Sequence, residues 1–288
     1  MRLFVDNLTV IDCSVLSSQH GLSGESWICD FVLTGGLDSQ SMVMDFGRVK
    51  KQIKAAVDEW VDHKLLVPTR AKGLNQFELH NGIVTLTFTD ESGQDIRHVS
   101  PESALCLIDA EAISAESVQS YLEQHLKALM PPTVESVAVE LRHEAVGGPV
   151  YHYSHGLKKH DGHCQRIAHG HRSKIEIWQD DWLDASLMQQ WASRWPHIYI
   201  GTQDDVVASF EHEGRLYWRF AYAAAEGAFL LELAQDRCEI IDTDSTVECI
   251  AEYILQQLQM EGAIGRLRVK AYEGVQKGAI VESVTRRL

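Results

Sequence analysis

Tyr151-His152-Tyr153-Ser154-His155-Gly156-Leu157-Lys158-Lys159-His160-Asp161-Gly162-His163-Cys164-Gln165-Arg166-Ile167-Ala168-His169-Gly170-His171 holds six of the fourteen histidines of the chain and one cysteine. His169 and His171 are two residues apart, so on a β-strand both imidazoles point to the same face. His155 ends a second strand-like run that begins at Val150, and a hairpin would bring it opposite that pair. Three neutral imidazoles converging from adjacent strands make a tris-histidine site with an open fourth position. That is the arrangement of catalytic rather than structural zinc. His152 falls on the strand face opposite to His155. His160 and His163 sit in a loop beside Asp161-Gly162 and read as solvated, or as neighbours of ligands rather than ligands.

A chain of 288 residues is long enough for about two domains, each burying its own core. Its 45% hydrophobic and 23% charged content are those of a globular protein. The net charge of −15 argues against sequence-independent nucleic-acid binding and against docking on anionic membranes. No apolar run has bilayer-spanning length, and the N-terminus lacks a signal-peptide core. Cys13, Cys29, Cys106, Cys164, Cys238 and Cys249 are scattered without a CxxC pair, which reads as free thiols in a reducing cytoplasm. Around the histidines the charge inverts: Lys158, Lys159, Arg166, Arg172 and Lys174 stand against Asp161 alone. Such an island suits either an anionic ligand or a solvated loop.

Two alternating stretches, Leu3 to Ser17 and Ser26 to Leu37, predict long strands with a turn around Gly21, Ser23 and Gly24. Val49, Ile53, Ala56, Val57, Trp60 and Val61 recur at helical spacing after Asp45-Phe46, in a helix ending before Pro68. Phe77 to Val99 reads as a polar hairpin turning at Glu91-Ser92-Gly93. A second helix from Ser114, a plausible N-cap, to Met130 precedes a strand over Val137–Leu141.

The chain then repeats itself. Ser114, Glu116, Val118, Tyr121 and Leu126 line up with Thr246, Glu248, Ile250, Tyr253 and Leu258, and an alternating strand follows each set. The first strand pair likewise parallels Val150 to Trp178. A duplicated unit follows, with residues 1–147 and 148–288 as its two copies, packed as one body. Ser14-Val15 stands where Ser154-His155 stands, and Gly24-Glu25 where Gly170-His171 stands, so the first copy lacks the metal ligands. Asp62-His63, near the end of the first helix, has no Asp-His counterpart in the second copy.

These residues resemble the 6-pyruvoyltetrahydropterin synthase / 6-carboxytetrahydropterin synthase family. The resemblance rests on Tyr151, His155, Cys164 and His169-Gly170-His171. It rests also on Met42-Val43-Met44-Asp45-Phe46, on Val61-Asp62-His63, and on Ser245-Thr246-Val247-Glu248. The strand Val269 to Glu273 resembles the family's strand ending in a pterin-anchoring glutamate, with Glu144, or by spacing Glu140, as its first-copy equivalent.

The family implies an α+β fold of two tandem tunnel-fold units, antiparallel sheets each carrying two helices on one face and assembling into a β-barrel. It implies a zinc ion on His155, His169 and His171, with Cys164 as general base and Asp62 orienting His63. Glu273, Glu144, Thr246 and Glu248 are the implied pterin contacts. The implied partners are a small pterin substrate and further copies of the chain, three of them completing six units. The implied reaction is a zinc-dependent lyase step on 7,8-dihydroneopterin triphosphate, in which zinc lowers the pKa of the side-chain hydroxyls. A binding-only member that holds zinc and a pterin without turnover is the alternative. An unrelated zinc hydrolase is disfavoured, because no HExxH or two-metal carboxylate cluster is present.

Overall fold

The computed structural model describes residues 1–283. Alternation produces β1 (Arg2–Ser17), which turns at Ser18–His20 and returns as β2 (Gly21–Gly35). The turn stops at Gly21, whose φ of +67° is left-handed and free for glycine. Ser23 and Gly24, expected in the turn, lie inside β2 instead. Another backbone passes against them, and a β-carbon on Gly24 would sit 2.0 Å from the Tyr153 carbonyl oxygen.

Helix α1 (Phe46–Trp60) starts where the Asp45 side chain accepts the Arg48 N–H at 2.9 Å. Its buried stripe is Val49, Ile53 and Val57, each worth roughly 1.5–3 kcal/mol of burial. It stops short of Pro68, since the chain extends again into β3 (Leu65–Pro68). Next come β4 (Leu74–His80), β5 (Ile83–Thr89) and β6 (Asp95–Pro101), three strands where the sequence suggested one hairpin. The extra turn is Asn81-Gly82, with φ of 51° and 76°, the geometry a two-residue hairpin demands. After β7 (Leu105–Ile108), a capping box of Ser114 and Ser117 opens α2 (Ala115–Leu129), and β8 (Val134–Arg142) closes the first copy.

The second copy runs β9 (Val150–His155), β10 (His169–Gln179), a short β11 (Trp182–Leu183) and α3 (Ala185–Arg194). It continues through β12 (Ile198–Thr202), β13 (Val206–His212), β14 (Arg215–Ala224), β15 (Gly227–Ala234) and β16 (Cys238–Ile241). Helix α4 (Val247–Met260), β17 (Leu267–Tyr272) and β18 (Gly278–Glu282) end it.

Each copy builds a sheet against its own helix pair, in the orders β7-β3-β1-β2-β8 and β16-β12-β9-β10-β17-β18, with β11 attached to β10. The long pairs are antiparallel as expected, but β3, β7, β12 and β16 add in parallel. The third sheet belongs to both copies: β6 pairs with β15, joining the two meanders as β13-β14-β15-β6-β5-β4. Its core mixes Leu16, Leu65 and Phe88 with Ile167, Tyr199 and Phe220. The two copies therefore share a sheet as well as a contact surface.

Register fixes the correspondence between copies. Ser14 lies opposite Gly24 and beside Leu65; Ser154 lies opposite Gly170 and beside Tyr199. Counting from there, His197 stands where His63 stands and Pro196 where Asp62 stands. The second copy thus keeps the imidazole and lacks only the acid. The same count along β8 and β17 makes His143 the counterpart of Glu273, in place of Glu144 or Glu140.

The copies meet where the two hairpins cross. The Ser14 and Ser154 hydroxyls are 2.7 Å apart, and a β-carbon on Gly170 would fall 2.7 Å from the Gly24 α-carbon. Around this crossing, Glu25 contacts His143 at 3.0 Å and His152 of the other copy at 3.3 Å, while Ser23 bonds His197 at 2.8 Å.

Gly24→Ala should destabilise the protein near or above the upper end of the roughly 1–3 kcal/mol typical of overpacking. Gly36→Ala, with nothing within 4 Å of its added carbon, should change stability by less than about 0.5 kcal/mol. Urea midpoints of the two variants check the contrast. Burial alone would raise the Glu25 carboxyl above its ordinary 4.5, but hydrogen bonds from His143 and His152 bring it down to about 2. A depressed carboxyl stabilises above its unfolded pKa, and that contribution disappears as pH falls from 4.5 towards 2. Glu25→Gln should therefore flatten the loss of stability across that window, measured by denaturant midpoints against pH.

Candidate metal centre and active site

The β9–β10 register sets His169 directly opposite His155 and His171 opposite Tyr153, so the three imidazoles share one face. All three are buried, and one ligand nitrogen from each lies within 4.8 Å of the others. Two rings are oriented by carbonyls. His155 Nδ1 lies 2.9 Å from the Ser245 carbonyl oxygen, and His169 Nδ1 lies 3.0 Å from that of Arg166. A carbonyl only accepts, so both Nδ1 atoms carry the proton and both Nε2 lone pairs are free. Those Nε2 atoms are buried and have no hydrogen-bond partner, which ordinarily costs roughly 1–3 kcal/mol each. Burial, then the neighbouring imidazoles, hold His155 and His169 well below the usual histidine range, in the neutral form a metal binds. This donor set fits a metal ion.

His171 is held differently. Its Nδ1 lies 3.2 Å from Asp12 Oδ1, close for an ionic contact though off the hydrogen-bond line. Its Nε2 is 4.0 Å from Glu273 Oε1. Lys277 bridges the two acids, 3.2 Å from Asp12 and 3.6 Å from Glu273. Burial works against the charge on Asp12, yet His171 and Lys277 hold its carboxyl far below the ordinary range.

Cys164 sits in a 3₁₀ turn, His163–Gln165. The β14–β15 turn clamps it: Glu226 accepts from His163 at 2.5 Å and from Arg166 at 2.7 Å, and Tyr222 donates to the Gln165 carbonyl at 2.8 Å. Ligand atoms of Cys164, His63 and His169 lie within 4.8 Å of one another. His63 reaches this point on a left-handed residue, φ 53°, at the end of α1. Its Nδ1 is 2.6 Å from Asp62, whose other oxygen accepts the Asp12 N–H at 2.8 Å. Burial opposes a charge on His63, but Asp62 and the Cys164 sulfur outweigh it and push its pKa up to about 10. Asp62, His63 and Cys164 thus converge within one chain, the acid and imidazole from the first copy and the thiol from the second.

The remaining sequence-derived positions scatter. Thr246 caps α4 by accepting the Cys249 N–H, Glu248 is exposed on the first turn of that helix, and Glu144 pairs with Lys174 at 3.0 Å. The basic island is largely neutralised from within. Lys158 pairs with Asp205, Lys159 with Asp244 and Arg166 with Glu226. Among the described residues Arg172 has no carboxylate partner, and it reaches only the Glu144 carbonyl at 3.5 Å. The reading of the island as an anion site is therefore left with Arg172 alone among its five cations, since Lys174 is also paired. Trp191 and Trp195 are core, and Trp182 is exposed. Asp12 and Lys277 were not found from the sequence. Asp12 lies in a run that reads as an ordinary alternating strand, and only the crossing of the hairpins brings it to His171.

The sequence model of the 6-pyruvoyl tetrahydropterin synthase family matches the chain twice, over residues 13–146 and 150–283. No curated protein matches the sequence significantly. Among solved structures, the 6-pyruvoyl tetrahydropterin synthase of Plasmodium falciparum is 16% identical, covering 49% of this chain and 90% of its own at a TM-score of 0.40. That of Plasmodium vivax is 19% identical, covering 49% and 97% at a TM-score of 0.39. With two family matches end to end over its two α+β copies, the chain belongs to the 6-pyruvoyl tetrahydropterin synthase family as a tandem tunnel-fold member.

Proposed function

We propose that the protein is a zinc-dependent pterin lyase with one active centre per chain, acting on 7,8-dihydroneopterin triphosphate or a close dihydropterin. The observation that carries this reading is the pair of buried, unpartnered Nε2 atoms of His155 and His169 beside a Cys164–His63–Asp62 array. His155, His169 and His171 would hold the zinc. Bound there, the ion would supply Lewis acidity to the hydroxyls of the pterin side chain. The protein's own groups move the proton. Cys164, as thiolate, takes it at Sγ, and His63 relays it with Asp62 holding the ring by its Nδ1–H. Glu273 would accept hydrogen bonds from the guanidine-like edge of the pterin, exchanging its contact with Lys277 for them. Thr246, Glu248 and Glu144 are weaker candidates for substrate contact. We place the boundary between the copies at residues 147 and 148, with the metal ligands confined to the second.

Elemental analysis of metal-replete protein should give one zinc per chain, since Val15, Ser23 and Glu25 occupy the corresponding first-copy positions. Two zinc ions, or none, would refute the assignment. Cys164→Ala should retain that zinc and lose turnover by roughly a hundred- to ten-thousand-fold. Incubation with dihydroneopterin triphosphate and mass identification of the products reads the loss and names the reaction. Loss of metal with turnover intact would instead make the sulfur a ligand.

The same reading takes the assembly as three chains in a closed ring of six units. Strands β8 and β18 each end a sheet, with one neighbour apiece among the described residues, and closure would pair such edges. Light scattering should return three times the chain mass of 32.4 kDa; a monomer would overturn the ring.

A further inference from the structure

We propose that Asp12, supplied by the first copy, is the positioning residue that fixes the His171 ring for metal binding and couples it to the Asp62–His63 pair. The inference rests on the metal site proposed above. Of the three imidazoles, His171 alone has no carbonyl on its Nδ1; the group at hand there is Asp12 Oδ1, 3.2 Å away. That contact is ionic rather than an aligned hydrogen bond, and a carboxylate beside Nδ1 favours the tautomer that frees Nε2 and makes the ligand more basic.

Asp12 is built to stay where it is. It is 2% exposed, accepts from Ser26 Oγ at 2.5 Å, and has Lys277 Nζ 3.2 Å from its other oxygen. Gly274 leaves it room, because a β-carbon there would fall 2.3 Å from Asp12 Oδ1. Its main chain serves the other chemistry: the N–H donates to Asp62 Oδ1 at 2.8 Å, and the carbonyl accepts the His63 N–H at 2.7 Å. One residue therefore ties a metal ligand of the second copy to the acid–imidazole pair of the first.

The opposite side of the crossing supplies an independent observation. His152 occupies the position of Asp12 in the second copy and Glu25 that of His171 in the first. These two are again in contact, at 3.3 Å, with acid and imidazole exchanged. Where no tris-histidine set exists, the pairing of an acid with an imidazole across the copies persists, so the crossing itself is shaped to hold such a pair.

Zinc affinity of the full chain, measured by competition with a chromophoric chelator, tests the role. Asp12→Asn should weaken zinc binding by about ten- to a hundred-fold, and the double variant with His171→Ala should bind no more weakly than His171→Ala alone. Affinity within twofold of the unsubstituted protein, or additive losses in the double variant, would overturn the proposal. Should Asp12→Asn fail to fold, histidine-labelled wild type decides by nitrogen–proton NMR. A zinc-loaded protein with a solvent-protected Nδ1–H on His171 supports the role, and a rapidly exchanging one rejects it. Wild type that binds no zinc defeats the metal site itself, a result distinguishable from an unaffected Asp12→Asn.

Discussion

Two β-hairpins cross at Gly24 and Gly170, backbone close against backbone with only the small Ser14 and Ser154 side chains beside them. A side chain at either place would force the copies apart, and contacts of hydrogen-bond length do not survive such a shift. At this separation Asp12 reaches His171, Ser14 reaches Ser154, and His63 comes within 5.3 Å, ring to ring, of His169. Close packing of the interior transmits any change here directly to the site. The shared sheet, joined where β6 meets β15, keeps the crossing from sliding.

The centre concentrates groups that a fold left to itself would avoid. Imidazole nitrogens without partners and a left-handed histidine both raise the energy of the folded state. They are tolerated because large apolar cores flank them, one under each helix pair and a third drawn from both copies. Local departures of this kind amid ordinary packing are where functional sites are expected.

Much of this was legible in the residues. The two-residue spacing of His169 and His171 gave their common face, and the strand run ending at His155 gave the third imidazole of the cluster. The apolar periodicities of α1 and α2 and the helix start at Ser114 were also readable, because they depend on local backbone preference alone. What escaped reading was set by contacts between copies. Ser23 and Gly24 carry turn-forming residue types, yet they are strand because another backbone lies against them. Asn81-Gly82 was a hairpin turn hidden inside a segment assigned a single turn. The equivalence of His143 with Glu273 needs the sheet register, since the family pattern pointed to Glu144 and spacing alone left Glu140 open. The cations around Cys164 looked free only because their partners, Asp205, Glu226 and Asp244, lie far along the chain.

The exchanged pairs on either side of the crossing, His171 with Asp12 and Glu25 with His152, have a consequence for heredity. In an assembly of identical copies around a twofold axis, one codon writes the same residue on both sides, and an acid cannot face an imidazole at the two mirrored places in opposite senses. Joining the copies in one reading frame removes that tie. Each side can then specialise on its own, one for chemistry and one for holding the pair together. Translation delivers the two specialists in equal number, so no separate control of their ratio is needed.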